Sequence, residues 1–392
     1  MKNVHVIVKG MYASAIVVGL MSAIIACNKK VENAEAGNRK SNIEKAVFGK
    51  ISDSTSADIY TLTNANEMVV KITNFGGIIT SIQTPDKAGK LAEVTLGFDS
   101  LASYVAPHPS FGAIVGRYAN RIAKGKFTLN NQTYTLAINN GENHLHGGLR
   151  GFDKALWKAE IVKSDSGLSA LKLTYLSRDM EEGYPGNLSL TVTYTLKNDN
   201  GLQIDYMATT DKPTVLNLTN HAYFNLNGAK TDVLAHEVKI NASTFTPINK
   251  NSIPLGNLQD VKGTPFDFTT FTTIGANINA DDEQIQFGNG YDHNFVVDKE
   301  KDVLALAATA YEPESGRVLE MYSTEPGVQF YTGNFLDGSL KGKNGIAYGK
   351  RFGFCFESQH FPDSPNQADF PTTVLNVGET FHSTTVYKFS VK

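Results

Sequence analysis

Alternation with a period of two residues most constrains what this chain can fold into. In the run 188–196, Leu188, Leu190, Val192, Tyr194 and Leu196 alternate with Ser and Thr. Successive side chains of a strand point to opposite faces, so such a run makes a ribbon with one apolar and one polar side. Lys197-Asn198-Asp199-Asn200-Gly201 then supplies a turn, and Leu202 to Tyr206 brings the chain back as the second arm of a hairpin. Val303 to Tyr311, the turn Glu312-Pro313-Glu314-Ser315-Gly316, and Arg317 to Tyr322 repeat the pattern. Helical periodicity of useful length is absent; short helices are expected only over Ser100–Val105 and Leu255–Val261. Many antiparallel strands with few helices bury their apolar faces by stacking sheet on sheet. The expected fold class is therefore all-β, a single large antiparallel β-sandwich over residues 46–392, without internal repeat or interdomain linker.

The first residues read differently. Lys2 and Lys9 precede an uncharged apolar run from Met11 to Ala26. That is shorter than the roughly 20 residues of a membrane span and has the layout of a secretory signal. The run ends Ile24-Ile25-Ala26-Cys27, which resembles a bacterial lipoprotein cleavage box with Cys27 as the lipidated N-terminus. A plain signal peptide or an uncleaved anchor would also carry such a run. The expectation is a leader over 1–26, then a flexible polar tether over 27–45. The protein would be exported and held on the outer or periplasmic side of a bacterial membrane, touching the membrane only through its lipid.

The chain has two cysteines. If Cys27 carries lipid, only Cys355 remains, no internal disulfide can form, and a zinc-thiolate site is excluded. A large apolar core must then supply the stability. The formal charge is −3, becoming more negative once Lys2 and Lys9 are cleaved off, and no Lys/Arg block is present, so nucleic acid is not an expected partner.

Several polar segments stand out from the strands. Asn220-His221-Ala222-Tyr223-Phe224-Asn225 follows a β-like run and offers His221 as a proton donor or acceptor near neutral pH; a buried imidazole satisfied by Asn217 or Asn225 is the bland alternative. Asn120 and Arg121 end a glycine-containing segment, and a guanidinium suits an oxygen-rich ligand. His144 and His146, two apart, would share a face in an extended segment, but no third ligand is nearby for a metal. Gly147 and Gly148 after them suggest a close backbone approach. Asp292 and Gln329 add a carboxylate that accepts from hydroxyls and an amide that both gives and accepts. Glu357 shares a strand face with Gly353 and Cys355, opposite Phe352, Phe354 and Phe356. Those small neighbours would leave open space beside it, and a carboxylate in a partly apolar setting becomes a general base.

In order along the chain stand Gly-Arg-x-Ala-Asn-Arg-Ile-Ala-x-Gly from Gly116, Leu-His-Gly-Gly-x-x-Gly-Phe-Asp-Lys from Leu145 and Asn-His-x-Tyr-Phe-Asn-Leu from Asn220. Asp-His-Asn-Phe from Asp292, Gln-Phe-Tyr-Thr-Gly-Asn from Gln329 and Phe-Glu-x-Gln from Phe356 follow. From about Phe48 to the C-terminus the chain resembles the galactose mutarotase type of aldose 1-epimerase. The resemblance implies a mutarotase-like supersandwich and interconversion of the α and β anomers of free aldohexoses, glucose or galactose, with no cofactor and no metal. It implies His221 as general acid and Glu357 as general base, standing on opposite sides of one C–O bond. Asn120, Arg121, His146, Asp292 and Gln329 match sugar-binding positions; His144 receives no role. Rival readings are a glycoside hydrolase using Asp292 with Glu357, a non-catalytic sugar-binding lipoprotein, and an epimerase of hexose 6-phosphates.

Overall fold

The computed structural model describes residues 41–164 and 166–392, so the leader, Cys27 and the tether up to residue 40 lie outside the described residues. The first strand runs Asn42–Ser52, with Asn42 to Lys45 opposite Thr63 to Tyr60. Residues 42–45, assigned above to the tether, thus belong to a sheet. This edge strand is exposed over most of its first half, so it carries no apolar alternation to reveal it.

Three large antiparallel sheets, with four two-stranded ones beside them, are formed by the described residues. The first is a meander of Asn42–Ser52, Thr55–Thr63, Val69–Thr73, Ile79–Pro85 and Leu91–Glu93 in sequential order. The second has nine strands. Lys158–Lys163, Ser169–Ser177, Leu188–Leu196 and Gly201–Thr210 are consecutive neighbours. The C-terminal strand Phe381–Val391 comes next, followed by Arg317–Ser323, Ala305–Tyr311, Glu237–Ile240 and Thr272–Thr273. Both expected hairpins are present here, with Leu196 opposite Leu202 in one and Tyr311 opposite Val318 in the other. The third sheet runs Gln259–Asp260, Thr244–Phe245, Asp292–Val296, Gly327–Tyr331, Cys355–Gln359.

One apolar core joins the inner faces of all three. Leu62, Val70 and Ile82 come from the first sheet, Leu173, Val192, Ile204 and Tyr387 from the second, and Phe295, Phe330 and Phe356 from the third. Each fully buried side chain of this kind is worth about 1.5–3 kcal/mol relative to exposure. Cys355 is a free, buried thiol, so packing rather than cross-linking holds the described body together.

The expected helix at Leu101–Val105 is present. Leu255–Val261 is not helical, because Gln259 and Asp260 pair with Phe245 and Thr244. A short helix stands instead at Glu283–Gly288: Asp282 accepts from the N–H groups of Gln284 and Ile285, and Asn289 ends it in the left-handed conformation at φ 55°.

Candidate active site

Phe224 and Phe354 form an antiparallel bridge in which each N–H donates to the other's carbonyl, at 2.7 and 3.0 Å. Residues three before one and three after the other fall opposite each other across such a bridge. Those residues are His221 and Glu357. His221 is fixed from its other side as well, its N–H donating to Ala113 and its carbonyl accepting from Gly112.

In the third sheet, Gln329 stands opposite both Asn294 and Glu357, and Tyr331 opposite Asp292 and Cys355. Strand alternation then puts Glu357, Gln329, Asp292, Cys355 and Tyr331 on one face, while Phe295, Phe330, Phe354 and Phe356 go into the core. The polar face looks onto a cleft of about 690 Å³. Asn120, Arg121, His146, His221, Asp292 and Glu357 all line it.

Gln329 does not line the cleft; its amide donates to Asp292 Oδ1 at 2.7 Å and its own oxygen accepts from Gln359 at 3.3 Å. It thereby holds Asp292, which does line the cleft. The space expected beside Glu357 is also filled. A Cβ at Gly353 would lie 2.8 Å from Leu96, and Cys355 is fully buried. The small residues there permit close packing, and the open side of Glu357 is the cleft alone.

His221 and Glu357 sit side by side at the cleft wall, Nε2 to Oε1 at 3.6 Å. The His221 ring stacks on Tyr223 at 5.0 Å and meets the His146 ring edge-on at 5.2 Å. Asn217 and Asn225 do not satisfy it: Asn217 bonds the backbone of Ala119 and His360, and Asn225 that of Thr231 and Phe352. Burial pushes the His221 pKa down to about 4. Burial, with the Asp292 carboxylate adding to it, pushes the Glu357 carboxyl well above its ordinary value, against the pull of Arg121. The usual order of proton affinity between imidazole and carboxyl is thereby reversed. Asp292 is raised by burial and partly brought back by Arg121 and Gln329.

His146 has φ 52° and pairs reciprocally with Asn120: its N–H donates to the Asn120 carbonyl, and its Nδ1 accepts from the Asn120 N–H at 3.2 Å. Burial holds the ring neutral. With Nδ1 accepting, the proton sits on Nε2, so His146 is a hydrogen-bond donor. Arg121 is oriented by its Nε donating to Asn140 at 3.0 Å.

His144 faces elsewhere, because the left-handed turn at His146 breaks the extended segment and the two rings do not share a face. The His144 ring nitrogens are both engaged, Nδ1 with the Ala137 carbonyl at 2.7 Å and Nε2 with the Tyr184 hydroxyl at 2.8 Å. It is a structural histidine and makes no metal pair with His146.

The loop that braces this region carries no local signal in its residues. Glu182 accepts from the N–H groups of Leu149 and Arg150 at 2.9 and 3.0 Å. Arg117, buried, donates to the carbonyls of Pro185, Gly186 and Arg178. Gly147 and Gly148 are needed for this packing: a Cβ at Gly147 would lie 1.9 Å from the Gly116 carbonyl oxygen, and one at Gly148 2.2 Å from Glu182. Tyr223, Tyr331 and Asn140 were also missed as cleft residues. Tyr223 was legible in principle, two residues from His221 on an extended segment.

The family model described as aldose 1-epimerase matches residues 58–388. A galactose mutarotase of Homo sapiens is 44% identical over 352 residues, covering 89% of this chain and 99% of that protein. An aldose 1-epimerase of Escherichia coli (strain K12) is 39% identical over 333 residues, 84% of this chain and 94% of that one. Among solved structures, the galactose 1-epimerase of Lactobacillus acidophilus superposes with a TM-score of 0.79 at 29% identity, covering 90% of this chain and 99% of that one.

Proposed function

This chain belongs to the aldose 1-epimerase family, and from that premise we propose how its cleft works. The protein is an isomerase that interconverts the α and β anomers of a free aldose. In our reading the substrates are aldohexoses of the glucose and galactose type, Glu357 is the general base and His221 the general acid. The observation that carries this is the 3.6 Å pairing of His221 Nε2 with Glu357 Oε1 at the cleft wall.

A cyclic aldose carries both reacting oxygens, the anomeric hydroxyl and the ring oxygen, on C1. An acid and a base that serve them must therefore be neighbours. The anomeric hydroxyl donates to Glu357 and so favours its ionised form, as Arg121 does. The proton displaced from the carboxyl is then available to His221 beside it. Glu357 takes the proton of the anomeric hydroxyl while His221 gives one to the ring oxygen. The bond from C1 to the ring oxygen breaks and C1 becomes an aldehyde. C1 turns about the C1–C2 bond, and the former ring oxygen attacks the other carbonyl face, returning its proton to His221 as Glu357 returns its own. Each such group contributes about 10²–10⁴-fold. Arg121, His146 and Asp292 hold the remaining hydroxyls, which keeps the open chain in register for closure.

The test is polarimetry of freshly dissolved α-D-glucose and α-D-galactose with the purified protein. Faster relaxation to the anomeric equilibrium is expected; saturable binding without acceleration would leave only a sugar-binding protein. We also propose, from the leader and Cys27 alone, that the enzyme is exported on a lipid anchor and equilibrates anomers released by glycosidases outside the cytoplasm. Recovery solely in the cytosolic fraction would end that part.

A further inference from the structure

Three donors of different chemistry meet at the inner wall of the cleft. The Cys355 sulfur is 3.5 Å from His221 Nδ1, and Glu357 Oε1 is 3.6 Å from Nε2 of the same ring. One ligand atom from each residue lies within 4.8 Å of the others, and all three side chains are buried. Glu357 is 2% exposed, yet its Oε2 has no hydrogen-bond partner. Buried carboxylate oxygens nearly always have one, so this oxygen is left to a ligand.

We infer that His221, Cys355 and Glu357 together form a capture site for a thiophilic divalent cation of the zinc class, whose binding switches the isomerase off. Zinc takes nitrogen, sulfur and carboxylate oxygen at about 2.0–2.3 Å, which sets tetrahedral ligands roughly 3.5 Å apart. A metal takes one ring nitrogen only, so one of the two separations already matches that spacing. The chosen atoms of the three residues lie within 4.8 Å of one another, and drawing the remaining donor in takes a movement on the order of 1 Å. Cys355 and Glu357 are two apart on one strand face, so the sheet presents them together and the His221 segment supplies the third donor. The fourth position opens to the cleft. On binding, the thiol releases its proton to solvent and the sulfur bonds the metal as thiolate. The metal holds the imidazole nitrogen and the carboxylate at once, so neither can move a proton. Counting cysteines excluded zinc-thiolate chemistry; one thiol suffices when the other donors come from segments far apart in the chain. The inhibitory half of this inference rests on the acid–base reading above, and the binding half does not.

The purified protein is titrated with CdCl₂ while the near-ultraviolet thiolate-to-metal band is followed, and with ZnCl₂ during mutarotation of α-D-glucose. One equivalent of Cd²⁺ is expected to develop the band, and excess aldose to weaken its formation. Zn²⁺ is expected to stop mutarotation, and EDTA to restore it. Cys355→Ala, which keeps Cys27, should lose the band and need at least about tenfold more Zn²⁺ for half-inhibition of its own metal-free rate. Cys355→Ser, closer in shape, should do the same if the alanine variant folds poorly. A band that survives both substitutions, unchanged zinc sensitivity, or indifference to aldose would each overturn the site. Should the parent protein turn over no aldose, the function proposed above falls while the cadmium band still reads the site.

Discussion

His221 Nε2 and Glu357 Oε1 face each other at 3.6 Å, too far for a hydrogen bond, from residues that the backbone brings opposite each other. The two hydrogen bonds between Phe224 and Phe354 place both residues three positions from one bridge. Neither group is neutralised by the other in the free enzyme, and both remain open to a ligand. Because burial lowers the proton affinity of the imidazole and raises that of the carboxyl, the proton rests on the carboxyl, and a change that favours the ionised carboxylate is needed to move it across. A hemiacetal hydroxyl donating to Glu357 is such a change.

Removing either partner should therefore stop chemistry without unfolding the chain. Glu357→Gln keeps the shape and loses the base; kcat is expected to fall about 10²–10⁴-fold with KM little changed. His221→Ala should fall similarly, and the double variant should be hardly worse than the poorer single one, because the groups act as a unit. Polarimetry gives the rates, and thermal melting shows that each variant is folded. A Glu357→Gln enzyme with near-parental kcat would place the base elsewhere.

Glu182 touches no part of the reacting pair but fixes the backbone after His146 through Leu149 and Arg150. Glu182→Ala should loosen His146 and raise KM, while kcat changes less, since His221 and Glu357 lie on other elements. For a partly exposed carboxylate the loss is about 1 kcal/mol, or roughly fivefold in kcat/KM. Glu182→Gln, which retains one acceptor, should fall between. A drop in melting temperature with KM unchanged would reduce this contact to a purely structural one.

His144 and His146 should separate by their readouts. Tyr184→Phe removes the hydroxyl from His144 Nε2 in a fully buried place. It should cost about 1–3 kcal/mol of stability, seen in denaturant unfolding, with kcat/KM intact. His146→Ala should instead raise KM and leave stability nearly as it was. Loss of catalysis in Tyr184→Phe would contradict the structural role given to His144.

Both the sandwich and the catalytic neighbourhood were legible because their signals are local. Alternation in Leu188–Leu196 and the turn after it define a hairpin without any distant contact, and the segments holding His221, Asp292 and Glu357 are short and chemically distinctive. Relations between distant segments were not legible. Tyr184 reaches His144, Glu182 reaches Leu149, and Cys355 reaches His221 only once the chain has folded. Gln329 reads as a sugar contact from its residue type, yet its register beside Asn294 and Glu357 sends its amide to Asp292. Leu255–Val261 misled because a short apolar run does not choose between helix and strand, whereas Asp282 and Asn289 marked a helix by its ends.

The pair Glu325 and His360 should give the fold a stability maximum in mildly acidic solution. Glu325 is fully enclosed and its carboxylate meets His360 Nδ1. Burial alone would raise the carboxyl, but the His360 imidazolium outweighs it and holds the pKa below the ordinary 4.5. For His360, burial would lower the pKa, and Glu325 outweighs that and raises it above 6.5. A depressed carboxyl contributes stability that is complete above its unfolded value and lost as pH falls through the folded one. A raised imidazole contributes stability that is complete below its unfolded value and lost as pH rises through the folded one. The two contributions coincide between the ordinary values of 4.5 and 6.5, and each fades outside that window on its own side. His360→Gln alone would leave a buried carboxylate unpaired, at about 3–5 kcal/mol, so the informative comparison is the doubly neutral Glu325→Gln/His360→Gln. Urea unfolding of parent and double variant across pH should show the parent's advantage greatest near pH 5–6 and shrinking toward both acid and alkaline conditions. A difference that stays constant with pH would mean that the pair is not ionised in the folded protein.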